Sequence, residues 1–265
     1  MSILLLLLSA IVPVAIFLFF VYKKDTEKEP PKLLAKSFLW GCIAIIPILT
    51  IELGLQYLNI FTSPFLHSFY EAFIVAALVE EGVKLFCLYK IIWKHKEFDQ
   101  YYDGIVYAVF VSLGFALVEN IFYVLEGGFG VSILRAMLSI PAHGLFGVLM
   151  GYFFALAKFS PNKNKKFLWL SFIVPFLAHG LYDFFLMYMV GNDEIAIILL
   201  FHLFIALMIF LWRFGMKYIK KHYAKDKAAL LMNKIDETPD NNTFNDEMLH
   251  QYQHDESIFR SSIDE

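Results

Sequence analysis

Seven ionisable residues sit inside long apolar runs of this chain, and their types are those of a hydrolytic centre. Glu80, Glu81 and Lys84 share one run, Glu119 lies in the next, His143 in a third, and His179 with Asp183 in a fourth. A charge near the middle of a bilayer costs about 2.5–3.5 kcal/mol even on lenient insertion scales, so such residues must face protein or water and are functional candidates. Glu80 and Lys84 are four apart and stack on one helix face, where the ammonium can keep a buried carboxylate ionised. Glu81 is turned about 100° away, which frees one acid to face a cavity while its neighbour is structural. His179 and Asp183 repeat the four-residue spacing, and the acid can orient the imidazole or share a ligand with it. Glu and His together can activate water and stabilise an oxyanion. Two histidines with a carboxylate can equally form a three-ligand zinc site with an open water position, and the residues alone leave both routes open.

Other polar residues have blander readings. Asp103 before Gly104 suits a helix N-terminus. Glu52, Glu71, Glu126 and Arg135 fall near span ends, where snorkelling to the interface is the expectation, and His202 reads as a satisfied polar residue.

These residues need a membrane frame, and the composition supplies it. The 265 residues are 59% hydrophobic and 18% aromatic, with a mean hydropathy of +0.60, too apolar for a soluble domain. Runs of about 20 apolar residues, the length that crosses roughly 30 Å of hydrocarbon, predict seven spans: 2–22, 33–57, 68–92, 104–125, 132–157, 167–190 and 195–218. The fold class is all-α, a polytopic transmembrane bundle. The first run reads as a retained span, because no basic residue precedes it and no small-residue cleavage pattern follows. Lysines and arginines cluster after spans one, three, five and seven, whereas 59–67, 126–131 and 191–194 have none. Basic loops stay cytoplasmic, so the N-terminus is placed outside and the C-terminus inside. Residues 1–221 form the membrane domain. Residues 222–265, with 4 of the 22 basic and 10 of the 25 acidic residues, are expected to be a disordered cytoplasmic tail. Cys42 and Cys87 both fall within spans and read as buried free thiols. No nucleic-acid partner is expected.

Small residues after His143, namely Gly144, Gly147 and Gly151, allow close helix approach, the last two as a GxxxG pair. The helix signature HExxH is absent, as is a GxSG serine motif, and Tyr182-Asp183 has no accompanying GxGD. What the chain does carry is four ordered blocks. They are Glu80-Glu81-Gly82-Val83-Lys84 (EExxK), Tyr102-Asp103-Gly104 leading to Phe115-Ala116-Leu117-Val118-Glu119-Asn120 (FxxxE), Arg135 with His143, and His179-Gly180-Leu181-Tyr182-Asp183 (HxxxD). Across residues 70–190 these blocks resemble the PrsW family of intramembrane proteases, relatives of the CAAX prenyl protease and bacteriocin-processing superfamily.

The resemblance implies a multi-pass enzyme of a prokaryotic cell membrane, often classed as a metalloprotease, that cuts a single-span protein in the bilayer such as an anti-sigma factor. On that resemblance Glu80 and Glu81 are the water-activating acids, Glu119 and His143 complete the polar site, and His179 with Asp183 binds a metal or the oxyanion. Lys84, Asn120 and Arg135 support them, and a divalent ion such as zinc would draw on His143, His179, Asp183 and Glu119. Two other classes use similar residues, a proton-coupled transporter and a non-catalytic membrane scaffold. The first is disfavoured by the lack of an inverted repeat.

Overall fold

The computed structural model describes residues 3–160, 165–190, 193–237 and 253. Among them are eight α-helices, one π-helical stretch and no strand: α1 (Ile3–Lys24), α2 (Pro31–Tyr57), α3 (Pro64–Phe69), the π-helix Tyr70–Ala77, α4 (Leu78–Ile92), α5 (Tyr101–Met137), α6 (Ser139–Phe159), α7 (Lys165–Met189) and α8 (Glu194–Glu237). Among the described residues, five stretches are long and apolar enough to cross a membrane, at 3–24, 31–57, 101–159, 165–189 and 194–233. The third of these holds both α5 and α6. The predicted span 68–92 is divided among α3, the π-helix and α4. Proline at the first helical positions of α2 and α3 sets where those helices begin, because its missing N–H would have no helical partner there.

The core is organised around α5. Its residues 102–109 are all buried, and glycines let its neighbours approach backbone to backbone. A Cβ at Gly151 on α6 would collide with the Gly104 carbonyl and lie 2.6 Å from the Ile105 Cα, and one at Gly41 on α2 would meet the Val111 carbonyl. Gly151→Val is therefore expected to force α5 and α6 apart at a cost of about 1–3 kcal/mol. This should read as a lower thermal midpoint of the purified protein, with Gly54→Val, where a Cβ meets nothing within 4 Å, as the silent control.

Three features depart from the sequence expectation. The first is the predicted loop 126–131, which is reduced to a kink at Gly128 with φ 71° and ψ −159°. Glycine holds this left-handed backbone without the Cβ clash that other residues suffer. The chain turns there and carries 129–137 back along the bundle. The second is the start of the expected tail. Residues 222–237 continue α8, with Ala224, Asp226 and Ala228 buried. Asp226 accepts the Tyr101 and Tyr102 backbone N–H groups at 3.0 and 2.6 Å, capping α5 from another helix. The tail from 238 onward, Gln253 apart, lies outside the described residues. The third is Asp103, which forms a capping box with Gln100 as the N-cap rather than being the cap itself. Cys42 and Cys87 are both free, Cys87 buried and Cys42 partly so.

Candidate active site

Helices α4, α5, α6 and α7 each deliver polar side chains to one buried network. The i, i+4 and i, i+3 geometry of α4 brings the Lys84 ammonium 2.8 Å from Glu80 Oε2 and 2.9 Å from Glu81 Oε1, and it also donates to His143 Nδ1 at 3.3 Å. All three of its protons are thereby used, and the ammonium rests 4.3 Å from the centre of the Phe115 ring. Because His143 Nδ1 accepts from an ammonium, the network assigns the imidazole proton to Nε2, which donates to Glu119 Oε2 at 3.1 Å. Glu119 is held from the other side by Arg135 at 2.7 Å, and the Arg135 Nε donates to Asn120 Oδ1 at 2.8 Å.

On α7, His179 is clamped between acids. Its Nδ1 lies 3.0 Å from Glu81 Oε1 and its Nε2 lies 3.0 Å from Asp183 Oδ2. Two carboxylates cannot both accept from a ring that carries a single proton, so a second proton or a metal ion must sit on one side. Phe146 stacks on the imidazole at 4.8 Å and keeps its plane fixed. Just before α4, the π-helix closes with the Leu78 N–H bonded to Phe73 O, five residues back. Such wide turns shift the helical register ahead of functional residues, and this one immediately precedes Glu80 and Glu81.

A cavity of about 490 Å³ opens onto the network, lined by Glu80, Glu119, Arg135, His143, His179 and Asp183. Glu80 faces this space, whereas Glu81 is wholly enclosed, at 0% exposure. All six of the sequence-expected catalytic residues, together with Lys84, Asn120 and Arg135, thus belong to one connected cluster. Span position alone puts Arg135, Glu52 and Glu71 at the interface, although the family blocks group Arg135 with the site. Instead, the kink at Gly128 turns Arg135 onto Glu119, and Glu52 of α2 lines the cavity, as does Glu71. The clue to Glu52 was its place as the lone acid of α2. Nothing in the sequence pattern marks Ser112, whereas Tyr123 belongs to the block that carries FxxxE. Ser112 Oγ donates to the His143 carbonyl at 2.7 Å, and the Tyr123 ring lies 4.0 Å beneath the Arg135 guanidinium. His202 bonds the Ile198 carbonyl within its own helix.

Among the described residues, one group brings three ligand atoms within 4.8 Å of one another, namely Glu80, Glu81 and His179. These donors suit a divalent ion. Carboxylate oxygen and imidazole nitrogen are zinc-type ligands, and Glu81 Oε2 is buried without a hydrogen-bond partner. The formal charge of the cluster agrees, with four carboxylates against the two fixed cations Lys84 and Arg135 among the described residues. Of the expected ligands His143, His179, Asp183 and Glu119, only His179 belongs to this group. His143 has both nitrogens engaged by Lys84 and Glu119, and Asp183 stands on the far side of the His179 ring.

Helices that can cross a bilayer, closing glutamates and imidazoles around a cavity with room for water and a peptide segment, define an intramembrane hydrolase. Sequence comparison makes the class specific. Residues 29–212 match the PrsW family of intramembrane metalloproteases. The Protease PrsW of Geobacillus kaustophilus is 44% identical over 174 residues, covering 66% of this chain and 76% of the relative. That of Oceanobacillus iheyensis is 38% identical over 216 residues, 82% and 95% of the two chains, and that of Bacillus subtilis 36% over 209 residues, 78% and 90%. No solved structure matches. The chain belongs to the PrsW family of intramembrane proteases, multi-pass enzymes of bacterial membranes.

Proposed function

We propose that the cluster hydrolyses a peptide bond of a single-span membrane protein, with Glu80 as the base that activates water. The observation that carries this is the division of labour between the paired acids, since Glu80 borders the cavity while Glu81 is committed to Lys84 and His179. Glu80 takes a proton from a water in the cavity as the water oxygen attacks the scissile carbonyl carbon. Arg135, in the cavity wall and with N–H groups beyond those that engage Glu119 and Asn120, is the donor available to the oxyanion. The tetrahedral adduct collapses by breaking the C–N bond, and the proton held on Glu80 passes to the leaving amine, restoring the carboxylate. Glu119, fixed by Arg135, holds His143 in the tautomer that accepts from Lys84, and so keeps the ammonium aimed at the two acids. Glu80, Glu81 and His179 would hold a divalent metal, zinc by their donor types, which when bound supplies Lewis-acid polarisation of water or carbonyl.

Seven crossings with the N-terminus outside are part of this reading, and contacts at one end of the bundle support it. Thr26 bonds Gln100 at 3.1 Å, Lys158 bonds the Phe98 carbonyl at 2.6 Å, and His222 bonds the Tyr101 carbonyl at 2.9 Å. The basic connections after α1, α4 and α6 and the basic end of α8 therefore meet at one end, the cytoplasmic one by charge. Gln56, Glu71 and Met187, from the opposite ends of their segments, border the cavity, so the cut falls toward the outer face. A membrane-bound anti-sigma factor is a substrate of the fitting kind.

The test is purified protein in detergent with a panel of single-span substrates and a metal assay. His179→Ala is expected to abolish cleavage and to lower the bound metal per chain at unchanged protein level. Cleavage by His179→Ala at the native rate would remove the imidazole from the mechanism.

A further inference from the structure

Away from the active-site cavity, α1 and α8 leave an apolar groove between them. Ile16, Phe17 and Phe20 form one wall and Trp212 and Met216 the other, around a volume of about 520 Å³. At the Lys24 end the groove runs into a second cavity of about 760 Å³ bordered by Lys23, Lys24 and Lys220, with Phe20, Lys24 and Ile219 common to both. The result is one trough, hydrocarbon-like along most of its length and basic where α1 ends. Lys23, Lys24 and Lys220 are exposed, and among the described residues none of the three is ion-paired. The acid beside them is Asp25, and burial pushes its carboxyl up to about 6 against the pull of Lys28. At neutral pH one negative charge thus faces three positive ones.

We propose that this trough binds an anionic phospholipid, with an acyl chain in the α1–α8 groove and the phosphate held by Lys23, Lys24 and Lys220. A transmembrane helix of a partner would fill an apolar groove, but helices carry an excess of Lys and Arg at the cytoplasmic end, which these three lysines repel, and a free phosphate has no use for the groove. Only a molecule carrying a long chain next to an anionic head matches both halves. Lysines at the membrane surface each contribute about 1 kcal/mol toward anionic lipid, or roughly fivefold in affinity. The floor of the groove includes Ala136 and Pro141, which flank the α5–α6 junction between Arg135 and His143. Phe17 occupies the space where a Cβ on Gly144 would lie. The lipid would therefore brace the wall that positions two polar residues of the site. The binding claim stands whether or not that site is catalytic.

Trp212 makes the claim measurable. Full-length protein with Trp40, Trp93 and Trp169 replaced by Phe is reconstituted in phosphatidylcholine vesicles containing a few mole per cent of dibrominated phosphatidylglycerol or dibrominated phosphatidylcholine. Trp212 is expected to be quenched at a mole fraction at least about fivefold lower with the glycerol lipid. That preference should vanish in Lys23→Gln/Lys24→Gln/Lys220→Gln, and persist in the corresponding triple Arg variant and in millimolar inorganic phosphate. These are exposed side chains, and an unchanged elution profile confirms that the triple variants fold. Equal quenching by the two lipids, a preference retained in the Gln variant, displacement by phosphate, or no quenching by either lipid because another helix covers the groove would each overturn the proposal.

Discussion

Glu80→Gln is expected to lower kcat for a single-span substrate by about 10²–10⁴, the usual contribution of a positioned general base, with KM, membrane level and thermal midpoint little changed. The expectation follows from the surroundings of the side chain. The amide keeps the volume of the acid, and its oxygen can still accept from Lys84, which sits 2.8 Å from Glu80 Oε2 in the native site. What disappears is the capacity to take a proton from water in the cavity. Glu81→Gln is the informative contrast. Its Oε1 accepts from both Lys84 and His179, so the change disturbs the donors around it and stability should fall together with activity, whereas metal content should fall in both variants because both acids belong to the group that would hold the ion. A Glu80→Gln enzyme as fast as the native one, beside an inactive Glu81→Gln, would transfer the base role to Glu81.

The two pairs at i, i+4 were legible in the sequence because a helix fixes which side chains share a face, and the distances of 2.8 Å for Glu80 with Lys84 and 3.0 Å for His179 with Asp183 express that geometry. Long apolar runs located the rods for the same kind of reason, since length and hydropathy are local properties. Direction after a break is not local. Gly127-Gly128 marks an interruption, but nothing in hydropathy says that the chain folds back, so span position alone puts Arg135 at the interface and only the family blocks group it with the site residues. Which donors lie close enough to share an ion is likewise set by packing. Residue type alone makes His143 a candidate beside His179, and the approach of Lys84 to the Nδ1 of His143 at 3.3 Å distinguishes them. The end of α8 failed for a third reason. Its polar residues read as solvated, yet Asp226 is buried because the amides at the start of α5 need an acceptor, and that partner is 124 residues away in the sequence.

Lys84→Met should be the most damaging single change to the fold. The ammonium has 0% side-chain exposure and satisfies Glu80, Glu81 and His143 simultaneously. Removing one partner of a buried ion pair costs about 3–5 kcal/mol, chiefly because the remaining charge is left uncompensated, and here two carboxylates are left. For a domain of this size that is a fall in thermal midpoint on the order of 10 °C, accompanied by loss of protein from the membrane fraction. The loss should be conditional on the acids. Combining Lys84→Met with Glu81→Gln removes one of the stranded charges, so the double variant is expected to be more stable than Lys84→Met alone, a coupling that a double-mutant cycle measures directly. Strictly additive effects in that cycle would mean that the lysine acts through packing against Phe115 and not by balancing the acids. In that case the site would have to keep its two carboxylates together by other means, and the assignment of Glu81 as the structural partner and Glu80 as the reactive one would lose its physical basis.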